Sequence, residues 1–136
     1  FEEGADILRR LFGQQFTRLS DDEWLAFSRR SFKADKRSLV PNYDTRLART
    51  LDAIDFHRRL PPLWPEFEAL GRVPVLVLRG ANSDLLSEET VAAMQARRPA
   101  LETVTVPDQG HAPILSGTDV VGRIAAFAAS CEPAGA

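Results

Sequence analysis

Cys131 is the only cysteine in this 136-residue chain, so no disulfide can form within it, a composition that fits a reducing compartment. No apolar run approaches the ~20 residues that span a bilayer, and no basic segment followed by an apolar one opens the chain. Together these absences lead us to expect a cytoplasmic protein with no membrane partner. Charge of one sign is missing as well. The 17 Lys and Arg are set against 19 Asp and Glu, for a formal net charge of −2, which offers nucleic acid no basic field and makes it an unexpected partner. The pairs Arg9-Arg10, Arg29-Arg30, Arg58-Arg59 and Arg97-Arg98 read as solvated helix faces and helix C-termini, where cations are favoured. Two histidines and one cysteine, none at ligand spacing, provide no metal donor set. Cys131 itself, beside the end of the last expected helix, reads as a packed or frayed thiol. His57 reads as a surface residue.

Hydrophobic residues make up 44% and charged residues 26% of the chain, a globular composition long enough for one domain with a core. Its two halves are patterned differently. Up to about residue 60 the pattern is helical, followed by an α/β segment over 61–136. "EEGADILRRLFG" sets Ile7, Leu8, Leu11 and Phe12 at helical spacing, with Gly13 a candidate left-handed cap. "SDDEWLAF" starts with Ser20 and has Glu23 three residues on, the signature of a capping box. "DTRLARTLDAIDFH" repeats Leu47, Leu51 and Ile54 on one face, with Asp44 as cap. "KADKRSLVPNY" between them is expected to be loop. In "RLPPLWPEFEALGRVP" the prolines exclude regular structure from most of the segment, leaving room for a short helix at 65–70.

Beyond residue 75 the pattern becomes strand, helix, strand, helix. "VLVL" is short and continuously apolar, as a parallel strand covered on both faces should be. "SEETVAAMQARR" carries a cap at Ser87, acids in its first turn and Pro99 as a stop. "LETVTV" is a second strand, and "TDVVGRIAAFAAS" a closing helix. This order predicts a right-handed βαβ unit with two parallel strands side by side.

In such a unit the loops leaving both strands open on one edge of the sheet, with strands ~4.8 Å apart. Asp84 lies in the first of these loops and His111 in the second. A carboxylate on one imidazole nitrogen fixes the tautomer and stabilises the imidazolium, leaving the other nitrogen as general base. Spacing alone leaves alternatives open. His111 also suits a capping or solvated role, "NSD" also suits a simple turn, and Asp108 competes as the acid or as a turn residue.

"VPVLVLRGANSDLLS" followed by "ETVTVPDQGHAPIL" resembles the C-terminal part of the α/β-hydrolase superfamily. The resemblance covers roughly 61–130 and implies that Asp84 is the acid and His111 the base of a catalytic triad. The helical segment 1–60 resembles the cap that such enzymes insert before these strands. The family's nucleophile, usually a serine in G-x-S-x-G, precedes the acid and the histidine in chain order, and no serine here sits in that frame. The chain, which opens on Phe1, is therefore expected to be the C-terminal part of a hydrolase whose serine lies outside it. The reaction implied is hydrolysis of ester or related acyl bonds of a small apolar substrate, without a cofactor. Trp64 and Phe67 are candidates to line the substrate pocket, or else to pack the cap on the core. Relatives with an aspartate nucleophile, acting on epoxides or haloalkanes, are an alternative, as are enzymes cleaving carbon–carbon bonds and a non-catalytic binding module on a truncated fold. Two parallel strands leave unpaired edges. An isolated copy is expected to fold poorly unless the N-terminal half, a partner chain or a swapped copy completes the sheet.

Overall fold

The structure, a computed structural model, describes residues 1–36, 38–52, 55 and 61–132. They gather into two compact units, Phe1–Gln14 with Leu19–Leu63, and Gln15–Arg18 with Trp64–Ala136.

In the first unit, helix α1 (Glu2–Phe12) packs against α2 (Asp21–Ser31). Ala5 and Leu8 from α1 and Trp24 from α2 are buried, and full burial of a side chain such as Leu8 is worth about 1.5–3 kcal/mol. The inner stripe is centred on Leu8, so Leu11 falls outside it and is 68% exposed. Trp24 stacks on Phe27 at 6.1 Å, and Phe27 meets Phe12 at 6.4 Å. Ser28 is fully buried and its hydroxyl donates to the Phe1 carbonyl at 2.8 Å, which removes the cost of burying an unmatched hydroxyl.

The capping box at Ser20 forms as the sequence predicts: Glu23 N–H donates to the Ser20 hydroxyl, and the Glu23 carboxylate accepts from the Ser20 amide at 2.9 Å. Gly13 differs from expectation. It is right-handed, at φ −59°, and its amide closes onto the Arg9 carbonyl without a left-handed residue.

The expected loop after α2 is instead a hairpin, β1 (Phe32–Asp35) antiparallel to β2 (Ser38–Pro41). Its strands are four residues long and β1 is exposed beyond Phe32, so there is little one-sided burial to write an apolar alternation into the sequence. Lys36 turns the chain at φ +52°.

The third cap segment also differs. Thr45–Leu51 is a 3-10 helix, with Asp44 capping the Arg46 amide and gripping the Arg46 guanidinium at 2.7 Å. Leu47 is 57% exposed. Without an apolar floor, an amphipathic stripe has little to stabilise a longer α-helix. Ile54, His57 and the pair at 58–59 lie outside the described residues.

The second unit carries the predicted βαβ order. A short helix, α3 (Trp64–Ala69), precedes strand β3 (Leu76–Gly80), helix α4 (Glu88–Arg97), strand β4 (Glu102–Val106) and helix α5 (Thr118–Ser130). β3 and β4 are parallel, with Leu76 opposite Glu102 and Gly80 opposite Val106. Ser87 caps α4 by accepting from the Thr90 amide at 3.2 Å. Leu101 and Val106 are buried, while Leu76, Val77 and Leu78 and the inner stripe of α5 (Val120, Ile124, Phe127) are only half-buried. Cys131 is exposed at the end of α5. Among the described residues no helix is long and apolar enough to cross a membrane.

Candidate active site

At the C-terminal ends of β3 and β4, hydrogen bonding continues past the last strand residues. Ala81 N–H donates to the Val106 carbonyl and Asn82 N–H to the Gln109 carbonyl, both at 2.8 Å. This close approach depends on Gly80. A Cβ there would overlap the Gly110 and Gln109 carbonyl oxygens, which are backbone atoms with no rotamer to move.

The loop after β3 is fixed from inside and outside. Ser83 accepts from the amides of Leu85 and Leu86 at 3.3 and 3.0 Å, a hydroxyl-stabilised turn. Arg79, only 7% exposed, donates to the Leu86 carbonyl at 2.7 Å and to the Ala81 carbonyl at 3.1 Å, and faces Glu88 at 3.4 Å. One guanidinium thus ties both ends of the turn that presents Asp84. At the start of α4, the carboxyl of Glu89 is held below the usual carboxylate range, first by its own backbone amide and then by the Ser87 hydroxyl.

The loop after β4 is built in a comparable way. Asp108 adopts φ +59°, and Gln109 accepts from the Ile114 amide at 2.6 Å, closing the turn around His111. The peptide from His111 to Ala112 is cis.

Asp84 and His111 therefore lie on adjoining loops at one edge of the strand pair, and both are exposed. They are joined through a third residue. Gln15 donates its side-chain N–H to Asp84 Oδ2 at 2.9 Å, and its side-chain oxygen accepts from the His111 backbone N–H at 3.3 Å. Among the described residues Gln15 is the only hydrogen-bond partner of the Asp84 carboxylate. Asp108 faces elsewhere: its carboxylate accepts from the Thr17 hydroxyl and meets Arg18, both at 3.3 Å.

Trp64 and Phe67 are not brought to this edge. Their rings meet edge-on at 6.2 Å, with the Arg97 guanidinium 4.0 Å from the Trp64 centroid and Arg98 5.6 Å from that of Phe67. Arg97 also faces Glu68 at 3.4 Å, and Arg98 donates to the Val73 carbonyl at 2.5 Å. Val73 leads into β3 and Arg98 into β4, so the cluster sits at the opposite end of the strand pair. An open cleft of about 490 Å³ lined by Arg72, Pro74 and Arg97 adjoins it, away from the Asp84–His111 edge. Among the described residues no group of three or more His, Cys, Asp or Glu side chains is placed to hold a metal ion.

Sequence reasoning missed Gln15 and Arg79. Gln15 lies in a polar link between two helices and carries no motif. Arg79 does leave a signal: a charged residue closing an apolar strand needs internal partners when buried.

No family model matches the chain. A curated relative, the 3-hydroxybutyrate-oligomer hydrolase of Cupriavidus necator, is 38% identical over 125 residues, covering 83% of this chain and 40% of the relative. The crystal structure of an alpha/beta hydrolase from Novosphingobium aromaticivorans superposes with a TM-score of 0.79 at 31% identity, over 93% of this chain and 44% of that one. A Rickettsia typhi protein shares the fold, with a TM-score of 0.71 at 18% identity over 93% of this chain and 41% of its own. The chain thus spans less than half the length of each of these proteins.

Proposed function

The chain belongs to the α/β-hydrolase superfamily, and from that premise we propose that it supplies the acid, Asp84, and the base, His111, of an ester hydrolase whose serine nucleophile lies in a part of the enzyme outside these residues. The observation that carries this reading is the hydrogen-bonded pair of loops at the ends of β3 and β4, which holds a carboxylate and an imidazole on one sheet edge. The coverage of 40% of the Cupriavidus necator relative fits a nucleophile located elsewhere in the protein.

In this mechanism the serine attacks the ester carbonyl while one nitrogen of His111 takes its proton. Asp84 accepts from the other nitrogen, stabilising the imidazolium and fixing the tautomer. The imidazolium then protonates the leaving alkoxide. Water, activated by the same base, cleaves the acyl-enzyme and restores the serine. The half-buried faces of β3, β4 and α5 await cover from the rest of the enzyme, since parallel strands are stable when both faces are covered. Oligomers of 3-hydroxybutyrate, the substrate in the name of the Cupriavidus necator relative, are the first substrate to test, alongside short-chain nitrophenyl esters.

The test is steady-state turnover of both substrates by the intact enzyme. His111→Ala is expected to lower kcat by about 10⁴-fold or more, and Asp84→Asn by about 10³- to 10⁴-fold. Unchanged ester turnover in His111→Ala would remove this assignment.

A further inference from the structure

We propose that Gln15 is a positioning residue of this site, a neutral side-chain amide that orients the Asp84 carboxylate and anchors the His111 loop at once. The inference rests on the assignment of Asp84 and His111 as acid and base.

The chemistry of the two partners fixes the orientation of the amide. A carboxylate only accepts hydrogen bonds and a backbone N–H only donates, so the Gln15 nitrogen must face Asp84 and its oxygen must face His111. A flipped amide would place acceptor against acceptor and donor against donor. A side-chain amide offers both functions on one rigid plane at this reach. A lysine or arginine could donate to Asp84 but would neutralise the charge that stabilises the imidazolium. A glutamate could accept from His111 but would set a second carboxylate against the first.

Gln15 is itself held in place. Asn82, in the Asp84 loop, donates its side-chain N–H to the Gln15 carbonyl at 2.9 Å. Two residues on, Thr17 N–H donates to the Asp108 carbonyl at 3.1 Å, its hydroxyl bonds the Asp108 carboxylate, and Arg18 adds an ion pair. Phe16 between them is buried. A Cβ at Gly110 would run into the Gln15 side chain, so glycine before His111 leaves the amide its space. The segment 15–18 thus spans both loops at several points, and ordering the Gln15 side chain costs less entropy than it would on a free surface.

The bond to Oδ2 has a consequence for catalysis. It leaves Oδ1, which has no partner among the described residues, as the oxygen free to accept a further hydrogen bond. A neutral donor orients a carboxylate without cancelling its charge. Gln15 therefore holds the Asp84 carboxylate turned, while the bond to the His111 amide holds the ring's backbone in register with it.

The test uses the intact enzyme and three variants. Gln15→Leu keeps the side-chain size and removes both bonds. It is expected to lower kcat by about 10- to 100-fold, the effect of losing a hydrogen bond to a charged group, with KM little changed. In an Asp84→Asn background the same substitution should cost clearly less than in the parent, because the part that acts through Asp84 has nothing left to orient and only the anchor on the His111 amide is lost. Gln15→Glu should move the acid limb of the kcat/KM profile to higher pH, since a second carboxylate favours the imidazolium. The other charges in these loops, Arg18 on Asp108 and Arg79 with Glu88, are untouched by these changes. If Gln15→Leu destabilises the protein too far to assay, the Gln15→Glu profile decides the matter. An unshifted acid limb, or equal losses from Gln15→Leu with and without Asp84, would overturn the role of Gln15. Activity surviving His111→Ala would overturn the underlying assignment instead, so the two failures read differently.

Discussion

The two ends of the β3–β4 pair are built by different means. At the C-terminal end, backbone meets backbone across Gly80, and directional hydrogen bonds from Arg79, Asn82, Ser83 and Gln15 fix the two loops. At the N-terminal end, Arg97 and Arg98 lie over Trp64 and Phe67, contacts that tolerate sliding and depend on area and polarisability, with one hydrogen bond from Arg98 to the Val73 carbonyl and the Arg97–Glu68 ion pair beside them. Hydrogen bonds fail within a few tenths of an ångström and tens of degrees, which is the precision a carboxylate–imidazole pair requires. Stacking supplies stability without that precision. The contrast sets the candidate acid and base at one end of the strand pair and a cluster of aromatic and cationic residues at the other.

That contrast can be broken most sharply by substitutions at the two ends. The largest effect is expected from His111→Ala in the intact enzyme, a loss of about 10⁴-fold or more in kcat with little change in melting temperature, read by paired turnover and thermal unfolding assays. Gly80→Ala comes next. Its Cβ must displace the Gly110 carbonyl, so stability should fall by about 1–3 kcal/mol in denaturant titration, with activity lost alongside. Trp64→Ala should behave in the opposite sense. Removing a half-buried ring under Arg97 is expected to cost about 1–2 kcal/mol of stability while kcat stays within a few-fold. A hundredfold fall in kcat there would mean that the aromatic end belongs to the substrate site after all.

The smallest effect is expected from Ser20→Ala, remote in sequence from both ends, at about 1 kcal/mol. It carries a pH signature. The backbone amide and hydroxyl of Ser20 hold the Glu23 carboxyl below the usual carboxylate range. A lowered folded pKa contributes stability above the unfolded pKa, and that contribution is lost as pH falls through the folded pKa. The difference between parent and variant should therefore be widest near neutral pH and narrow in acid. Equal differences across the range would show that the Ser20 hydroxyl does not hold the Glu23 carboxylate.

The sequence revealed those features whose causes are local. The Ser20–Glu23 box, the Ser87 cap and the alternation of apolar strand and amphipathic helix are each written within a few residues, and each forms. The hairpin at Phe32–Pro41 is not legible because its strands are four residues long, β1 is exposed beyond Phe32 and the half-buried residues of β2 run consecutively, so neither strand shows an alternation to detect. At Thr45–Leu51 the helical spacing of Leu47, Leu51 and Ile54 predicts a longer helix than forms, because Leu47 faces solvent. At the candidate site, parallel pairing was enough to bring the Asp84 and His111 loops to one edge. The bridge through Gln15 was not legible, because it joins residues 69 and 96 positions apart through a segment whose own sequence describes only a polar turn.

The account is tested most directly by treating the intact enzyme with a fluorophosphonate, which reacts with activated serines, and locating the adduct by mass spectrometry. The account predicts one labelled serine outside these 136 residues, with labelling lost in His111→Ala. An intact enzyme that hydrolyses the esters yet takes no label, or labelling undiminished in His111→Ala, would contradict it.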